Sequence, residues 1–250
     1  MSRPAPLAAA TLAQAAVELR LTARRGENLL AMVGIPAAVL LFFGSGDLLP
    51  APAVGSRADA LVPGTLALAI LATGLVNLGI ATAYERQYGV LKRLGGSPLG
   101  RVGLIGAKVL TILVIETVLV VLLMALAALA LGWRPGPAVS PAGFAAAFVL
   151  GSAAFAGLGL LLAGTLRAEA TLALANALFV GSLIVGGVIV PVDRLPGPFA
   201  VVAGLLPAGA LSEAFRSSLA AGGDLARPIA VLAVWAAVAV LAAARTFRWE

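Results

Sequence analysis

Residues 85–101 read ERQYGVLKRLGGSPLGR and lie between two long apolar stretches. The segment is the densest cluster of charge in a 250-residue chain of which 11% is charged and 61% hydrophobic, with a mean hydropathy of +1.07. Soluble domains carry roughly 25% charged residues, so one aqueous core cannot hide this much apolar surface. The bilayer is the matching solvent, and helices span it because they pair their own backbone groups. A membrane β-barrel would alternate apolar and polar residues in runs of about ten. The run from Ile112 to Ile115 into Thr117 to Leu131 does not alternate. The expected fold class is therefore an all-α polytopic membrane protein in a single domain over 1–250, and residues 84–101 are a hairpin between two of its spans.

Working outward, uncharged intervals near the ~20 residues needed to cross a hydrocarbon core run over Asn28–Gly46, Ala60–Tyr84, Pro135–Leu166, Ala170–Val192 and Pro228–Ala244. A further span covers about Leu104 to Leu131, interrupted by Lys108 and Glu116. That predicts six spans. Leu195–Ser212 is also uncharged, but Pro196, Pro198 and Pro207 break it. An interior proline costs about 3 kcal/mol, so this stretch reads as two short helices dipping in from one side, within a re-entrant segment 193–226, with a full seventh span as the alternative.

With six spans both termini share a side. Twelve of the 17 Lys and Arg residues fall on that side, among them Arg20, Arg24, Arg25, Arg86, Lys92, Arg93, Arg101 and Lys108. The other side holds five, with five acids beside them. The positive-inside rule makes the first side cytosolic, so the net charge of +6 lies on the cytosolic face of a cell membrane. These cations border spans without interleaved aromatics, which points to topology and anionic lipid and away from nucleic acid. The chain has no cysteine and no histidine, so no disulfide, thiolate metal site or histidine base is expected. Its N-terminal MSRPAPLAAATLAQ is broken by polar residues and does not read as a signal peptide. Over 1–28, Gln14, Glu18, Thr22 and Arg25 share one helical face and Leu12, Ala16 and Leu19 another. That is a modest amphipathic helix for the membrane surface, either a lead-in or an elbow bracing the spans.

In the 84–101 loop a helix would place Tyr84, Tyr88 and Leu91 on one face and Arg86 and Arg93 on another. Gly95-Gly96 would end it, and Ser97-Pro98 would cap and open the next helix. Taken alone, the loop is either a basic turn that sets topology or a handle for a cytosolic partner. Inside the spans, Glu116 is a functional candidate because a charge at membrane depth costs about 2.5–3.5 kcal/mol or more. Three readings are open: a protonated acid hydrogen-bonded between helices, an acid paired with a cation, or a group on a transport pathway. Asn77 and Asn176 are open to two, interhelical hydrogen-bond glue or pathway ligands.

The order Tyr84-Glu85-Arg86-x-x-Gly89-Val90-Leu91-Lys92-Arg93-Leu94-x-x-Ser97-Pro98-Leu99 resembles the cytosolic loop of type-2 ABC exporter permeases, in particular drug-resistance permeases of the daunorubicin type. Leu166-Arg167-Ala168-Glu169-Ala170 with Leu174-Ala175-Asn176 resembles that family's entry into its fifth span. Pro191-Val192-Asp193-Arg194-Leu195-Pro196, then Leu206-Pro207 and Ala214-Phe215-Arg216, resembles its outer motif. Tyr88 and Gly95-Gly96 depart from its usual wording.

The resemblance implies a membrane subunit that moves a hydrophobic or amphipathic substrate (drug, lipid or glycolipid) out of the cytoplasm. ATP and magnesium would be bound by a separate pair of ABC ATPase subunits and by no group of this chain, which lacks a GxxxxGK[ST] phosphate loop and is not expected to be an enzyme. It further implies a coupling helix in 84–96, with Glu85, Arg86, Lys92 and Arg93 as polar contacts, Tyr84 and Gly89 within the same motif, and Tyr88 and Leu91 as apolar anchor. A second permease completes the exporter, most simply a copy of this chain, with a related permease as the alternative. Pro191, Asp193, Pro196 and Pro207 would belong to an outer gate or to a structural lid. An ion-coupled secondary transporter and a non-transporting scaffold are the competing functions.

Overall fold

The computed structural model describes residues 6–24, 26–45, 56–95, 99–187, 197–219 and 223–247. Among the described residues helix is the only regular secondary structure, with no strand. Helix α1 (Leu7–Arg24) precedes α2 (Gly26–Ser45). Helices α3 (Arg57–Leu71) and α4 (Leu78–Gln87) are joined without a break by a π-helical segment, Ala72–Asn77. The short α5 (Val90–Gly95) is followed by α6 (Gly100–Leu131), α7 (Pro141–Thr165), α8 (Ala168–Val185), α9 (Gly197–Leu205), α10 (Pro207–Leu219) and α11 (Ala226–Thr246).

Five stretches are long and apolar enough to cross a membrane: Arg57–Gln87, Val102–Leu131, Pro141–Thr165, Ala168–Val185 and Ala226–Thr246. Met32–Ser45 of α2 is a shorter apolar helix. Each of the six expected spans thus falls on a helix. The Arg57–Gln87 stretch is 72% buried while α8 and α11 are 17% and 22% buried, so α3–α4 forms the centre and α8 and α11 carry exposed apolar faces.

The helix ends follow local chemistry. Ser56 and Asp59 form a capping box at the start of α3, the Asp59 carboxylate accepting the Ser56 N–H at 2.7 Å. Ser140 accepts the Gly143 N–H at 3.2 Å, with Pro141 in the first turn of α7. Gly132, at φ +63°, closes α6 in the left-handed conformation. The expected fourth span therefore starts at Pro141 and not at Pro135, because the Ser140 cap sets it. The expected fifth starts at Ala168 and ends as helix at Val185. Helix α6 begins at Gly100, with Leu99 at its cap and Gly100 at φ +61°; the expected Ser97-Pro98 cap lies outside the described residues.

Within the bundle small residues let backbones approach, as membrane helices require. A Cβ on Gly159 of α7 would collide with the Gly74 carbonyl in the π segment, and one on Gly79 would lie 3.1 Å from the Gly159 backbone. A Cβ on Gly157 would lie 2.9 Å from the Val240 nitrogen of α11. Hydroxyls of Thr65, Thr73 and Thr165 donate to carbonyls one turn back, which satisfies them without a second helix.

Helices α9 and α10 meet at 89°. Such a bend fits either a broken span or a re-entrant loop. Helix α8 begins at the α5 end of the bundle, where Glu169 accepts from Gln87 at 3.1 Å, and Gly187, just past its other end, accepts from Ser212 of α10 at 3.0 Å. Helix α10 finishes at this same far end: Leu219 and Ser218 accept backbone N–H groups of Gly136 and Ser140 at 2.8 Å, and Arg216 donates to Ala60 at 2.9 Å. The bend lies deeper, where Trp235 donates to the Leu205 carbonyl at 2.8 Å, nine residues or roughly 13 Å along α11. Helix α10 thus runs from the bend back to that far end, while residues 188–196, which lead into α9, lie outside the described residues.

A cavity wall joined to a charged helix junction

The loop motif divides between α4, α5 and the turn joining them. Tyr88 donates its N–H to Tyr84 at 2.9 Å and Gly89 to Arg86 at 3.0 Å. Gly89 then takes φ +69°, a conformation that favours glycine. The expected single helical face of Tyr84, Tyr88 and Leu91 is therefore broken: the tyrosines end α4, where their rings stack with centroids 6.0 Å apart and planes 26° apart, while Leu91 starts the next helix. Leu91 is buried with Leu99 and Leu104 against Ala10 and Phe247, which fastens α5 to α1, α6 and the C-terminal end. It is an internal anchor. Lys92 and Arg93 are exposed on α5.

Arg86 donates to the Leu166 carbonyl at the C-terminus of α7, where backbone acceptors lack helical partners and the dipole favours a cation. The two sequence motifs, 84–99 and 166–176, thus meet in space: Arg86 on Leu166 and Gln87 on Glu169.

Glu85 turns inward. Its carboxylate lies 2.6 Å from the Lys108 ammonium of α6, which is also 3.5 Å from Glu18 of α1. Gln14 donates to the same Glu18 oxygen at 3.2 Å. Lys108 is 4% exposed, so this junction ties the amphipathic helix, the third span and the end of the second span through one buried cation. Burial pushes the Glu18 carboxyl above its ordinary range, with Lys108 and Gln14 pulling the other way. Sequence reasoning counted Lys108 only towards membrane orientation. Its position, alone within an apolar stretch and one helix away from two acids, was the available signal.

Beside the junction lies a cavity of about 650 Å³, bounded by Met32 and Ile35 of α2, by the π segment, by Ile80, Ala81, Tyr84 and Glu85 of α4, by Tyr88 and Val90 of the turn into α5, and by Asn176 and Phe179 of α8. A smaller space of about 90 Å³, lined by Glu18, Lys108 and Thr111, shares Asn77, Ala81 and Glu85 with it. The π segment carries Leu78 N–H to Thr73, five residues back. Such widened turns often occur at functional positions, and here one carries Asn77 onto the cavity wall. No hydrogen bond to another described residue occupies the Asn77 side chain. Asn176 lines the cavity while its amide donates to Leu172 at 2.9 Å.

Glu116 lies elsewhere. It is fully buried between α6 and α7, accepts a hydrogen bond from Ser152, lines neither cavity and meets no cation among the described residues. Of its three readings the geometry matches the interhelical hydrogen bond. Pro207 is buried at the start of α10, and Pro191, Asp193 and Pro196 lie outside the described residues.

A helical bundle of membrane-crossing length, with a lateral cavity whose wall runs into an exposed basic hairpin, defines a multi-pass membrane transport component. The chain belongs to the ABC-2 type transporter family, whose model matches residues 11–220. Domains of this family are the membrane components of ABC transporters, acting in the bilayer with a partner ATPase, and are not themselves catalytic. No curated protein matches the chain.

Proposed function

We propose that this chain is the permease of an ATP-driven exporter in the cell membrane, with both termini cytosolic, and that ATP hydrolysis in the partner pair drives it through residues 84–96. ATP and magnesium belong to that pair. The observation that carries the reading is a mechanical continuity. Lys92 and Arg93 are exposed on α5, and the residues leading into them, Tyr84, Glu85, Tyr88 and Val90, line the wall of the 650 Å³ cavity. A partner that docks on α5 and moves it deforms that wall.

The cavity, lined mainly by apolar groups, is the path for a hydrophobic or amphipathic substrate, with Asn77 and Asn176 as polar contacts. The bent pair α9–α10, with Pro207 at its bend, covers the exit. Two copies of this chain make the simplest assembly.

The test is charge reversal at the exposed cations. The Lys92→Glu/Arg93→Glu variant, reconstituted with the co-purified ATPase, should lose substrate-stimulated ATP hydrolysis while the permease itself stays folded. Stimulation at the wild-type level would remove α5 as the coupling device. Transport that survives ATP depletion and collapses with an ion gradient would replace the whole reading with an ion-coupled transporter.

A further inference from the structure

A separate cavity of about 390 Å³ lies at the far end of the bundle, between α9, α10 and the start of α11. On the side of the α9–α10 bend it is lined by Gly204 and Ala210, and further along by Glu213, Ser217, Asp224 and Arg227. Its lining thus changes from apolar to charged over the seven residues from Ala210 to Ser217, roughly 10 Å along α10. Phe199, Val202 and Leu205 of α9 leave exposed apolar surface beside it. Arg227 is exposed and makes no ion pair or hydrogen bond with another described residue. A Cβ on Gly223 would collide with the Ser217 hydroxyl, so glycine at that point of the lining keeps the hydroxyl open. Asp224 gives one carboxylate oxygen to the Ala226 N–H at 2.9 Å, which leaves its charge and its second oxygen available. Glu213 meets Arg216 of its own helix at 3.4 Å. With Arg216 set against Glu213, the charges of Asp224 and Arg227 remain, one of each sign.

We propose that this cavity holds the headgroup of a zwitterionic phospholipid that carries a primary ammonium. The phosphate rests on the Arg227 guanidinium and the Ser217 hydroxyl, the ammonium on the Asp224 carboxylate, and the acyl chains run along the apolar side of α9. Guanidinium–phosphate and ammonium–carboxylate contacts are charge-assisted and among the stronger hydrogen bonds. A volume of roughly 300–1,000 Å³ is usual for a small-molecule site. An anionic phospholipid would satisfy Arg227 but bring no cation to Asp224. A choline headgroup keeps the positive charge but has no N–H to donate. The site does not depend on the export reading; cytosolic termini place it in the outer leaflet.

The probes are phosphatidylethanolamine, phosphatidylcholine and phosphatidylglycerol with identical acyl chains, titrated onto the full chain in detergent and followed by native mass spectrometry. Phosphatidylethanolamine should bind one site roughly tenfold more tightly than phosphatidylcholine, the effect of one charge-assisted hydrogen bond. Arg227→Gln should weaken phosphatidylethanolamine by roughly tenfold, and the residue is exposed, so the fold does not rest on it. Asp224→Asn keeps an acceptor for the Ala226 N–H and should abolish the preference over phosphatidylcholine. Free phosphoethanolamine should bind roughly a hundredfold more weakly than the lipid, having no chains to bury. Equal affinity for the ethanolamine and choline lipids in the parent chain would overturn the inference. So would undiminished phosphatidylethanolamine affinity in Arg227→Gln, a preference that survives Asp224→Asn, or tighter binding of phosphatidylglycerol that Arg227→Gln removes. Free phosphoethanolamine binding as tightly as the lipid would overturn the lipid as occupant.

Discussion

The Lys108 ammonium lies 2.6 Å from the Glu85 carboxylate, and through that pair the third span grips the last turn before the exposed hairpin. Glu18 sits 3.5 Å from the same nitrogen, so α1 is clamped by the cation that holds α4. A displacement of α5 that tilts the end of α4 therefore bears on α1 and α6 as well as on the cavity wall.

Removing Lys108 should loosen this junction. Breaking a buried pair from one side costs about 3–5 kcal/mol, and the 32% exposure of the Glu85 side chain reduces it. Lys108→Met is expected to lose about 1–3 kcal/mol. The Lys108→Met/Glu85→Gln double variant should lose less than the sum of the single changes, because they share one interaction. Thermal unfolding in detergent gives the energies, and faster proteolysis within α1 would show that the clamp holds that helix. An α1 as protected as in the parent chain would refute the clamp.

The Glu18 carboxyl gives the junction a pH dependence of known sign. Burial outweighs Lys108 and raises its pKa above the ordinary 4.5. The folded state therefore holds the proton more tightly than the unfolded state does, and this contribution is complete below 4.5 and lost as pH rises through the raised value. Unfolding midpoints of the parent chain and Glu18→Gln, followed upward from pH 4, should differ in slope, with the variant flatter. Parallel profiles would contradict the assignment.

Glu116 should behave as glue. Glu116→Gln keeps an oxygen for the Ser152 hydroxyl and is expected to leave transport unchanged, whereas Ser152→Ala should cost about 0.6–2 kcal/mol of stability, the range for hydrogen bonds between membrane helices. Loss of transport in a stably folded Glu116→Gln would put this acid on the pathway after all.

Glycine substitutions should grade by what an added Cβ meets. Gly159→Ala collides with the Gly74 carbonyl, backbone against backbone, and should cost about 1–3 kcal/mol. Gly79→Ala, at 3.1 Å from Gly159, should cost less. Gly34→Ala meets nothing within 4 Å in α2 and should stabilise by about 0.5–1 kcal/mol through helix propensity. Melting temperatures in that order would support the packing of α7 on the π segment, and a neutral Gly159→Ala would rule it out.

Gly89→Ala tests the turn itself. Nothing crowds the added Cβ, but φ +69° strains any L side chain by about 1–2 kcal/mol. The variant should still co-purify with the ATPase yet couple poorly, read as reduced substrate-stimulated hydrolysis with unchanged basal hydrolysis. Normal coupling would show that the α4–α5 angle is not used.

The membrane class, the six apolar helices and the basic hairpin were legible in the sequence because they rest on quantities additive along the chain, apolar length and charge count; the turn at Gly89 was not, since the sequence reading carried a helix through it. The proline-broken segment around Pro207 was legible too, since proline acts on its own helix. The places of Glu85, Lys108 and Glu116 were not legible. Glu85 and Lys108 both look like loop-side charges when counted by span, and Glu116 looks like a pathway group when judged by depth alone. Which of them meets a cation, a hydroxyl or a cavity depends on the rotation of α4, α6 and α7 about their axes. Contacts between helices set that rotation, through pairs such as Gly74 and Gly159. An almost uniformly apolar helix carries little periodic signal to reveal it. The sequence alone determined that the chain crosses the membrane and offers a charged hairpin on one side. Tertiary packing alone decided that the hairpin's tyrosines and its first acid form the wall of a cavity, because only the folded bundle brings α2, α4 and α8 around one space.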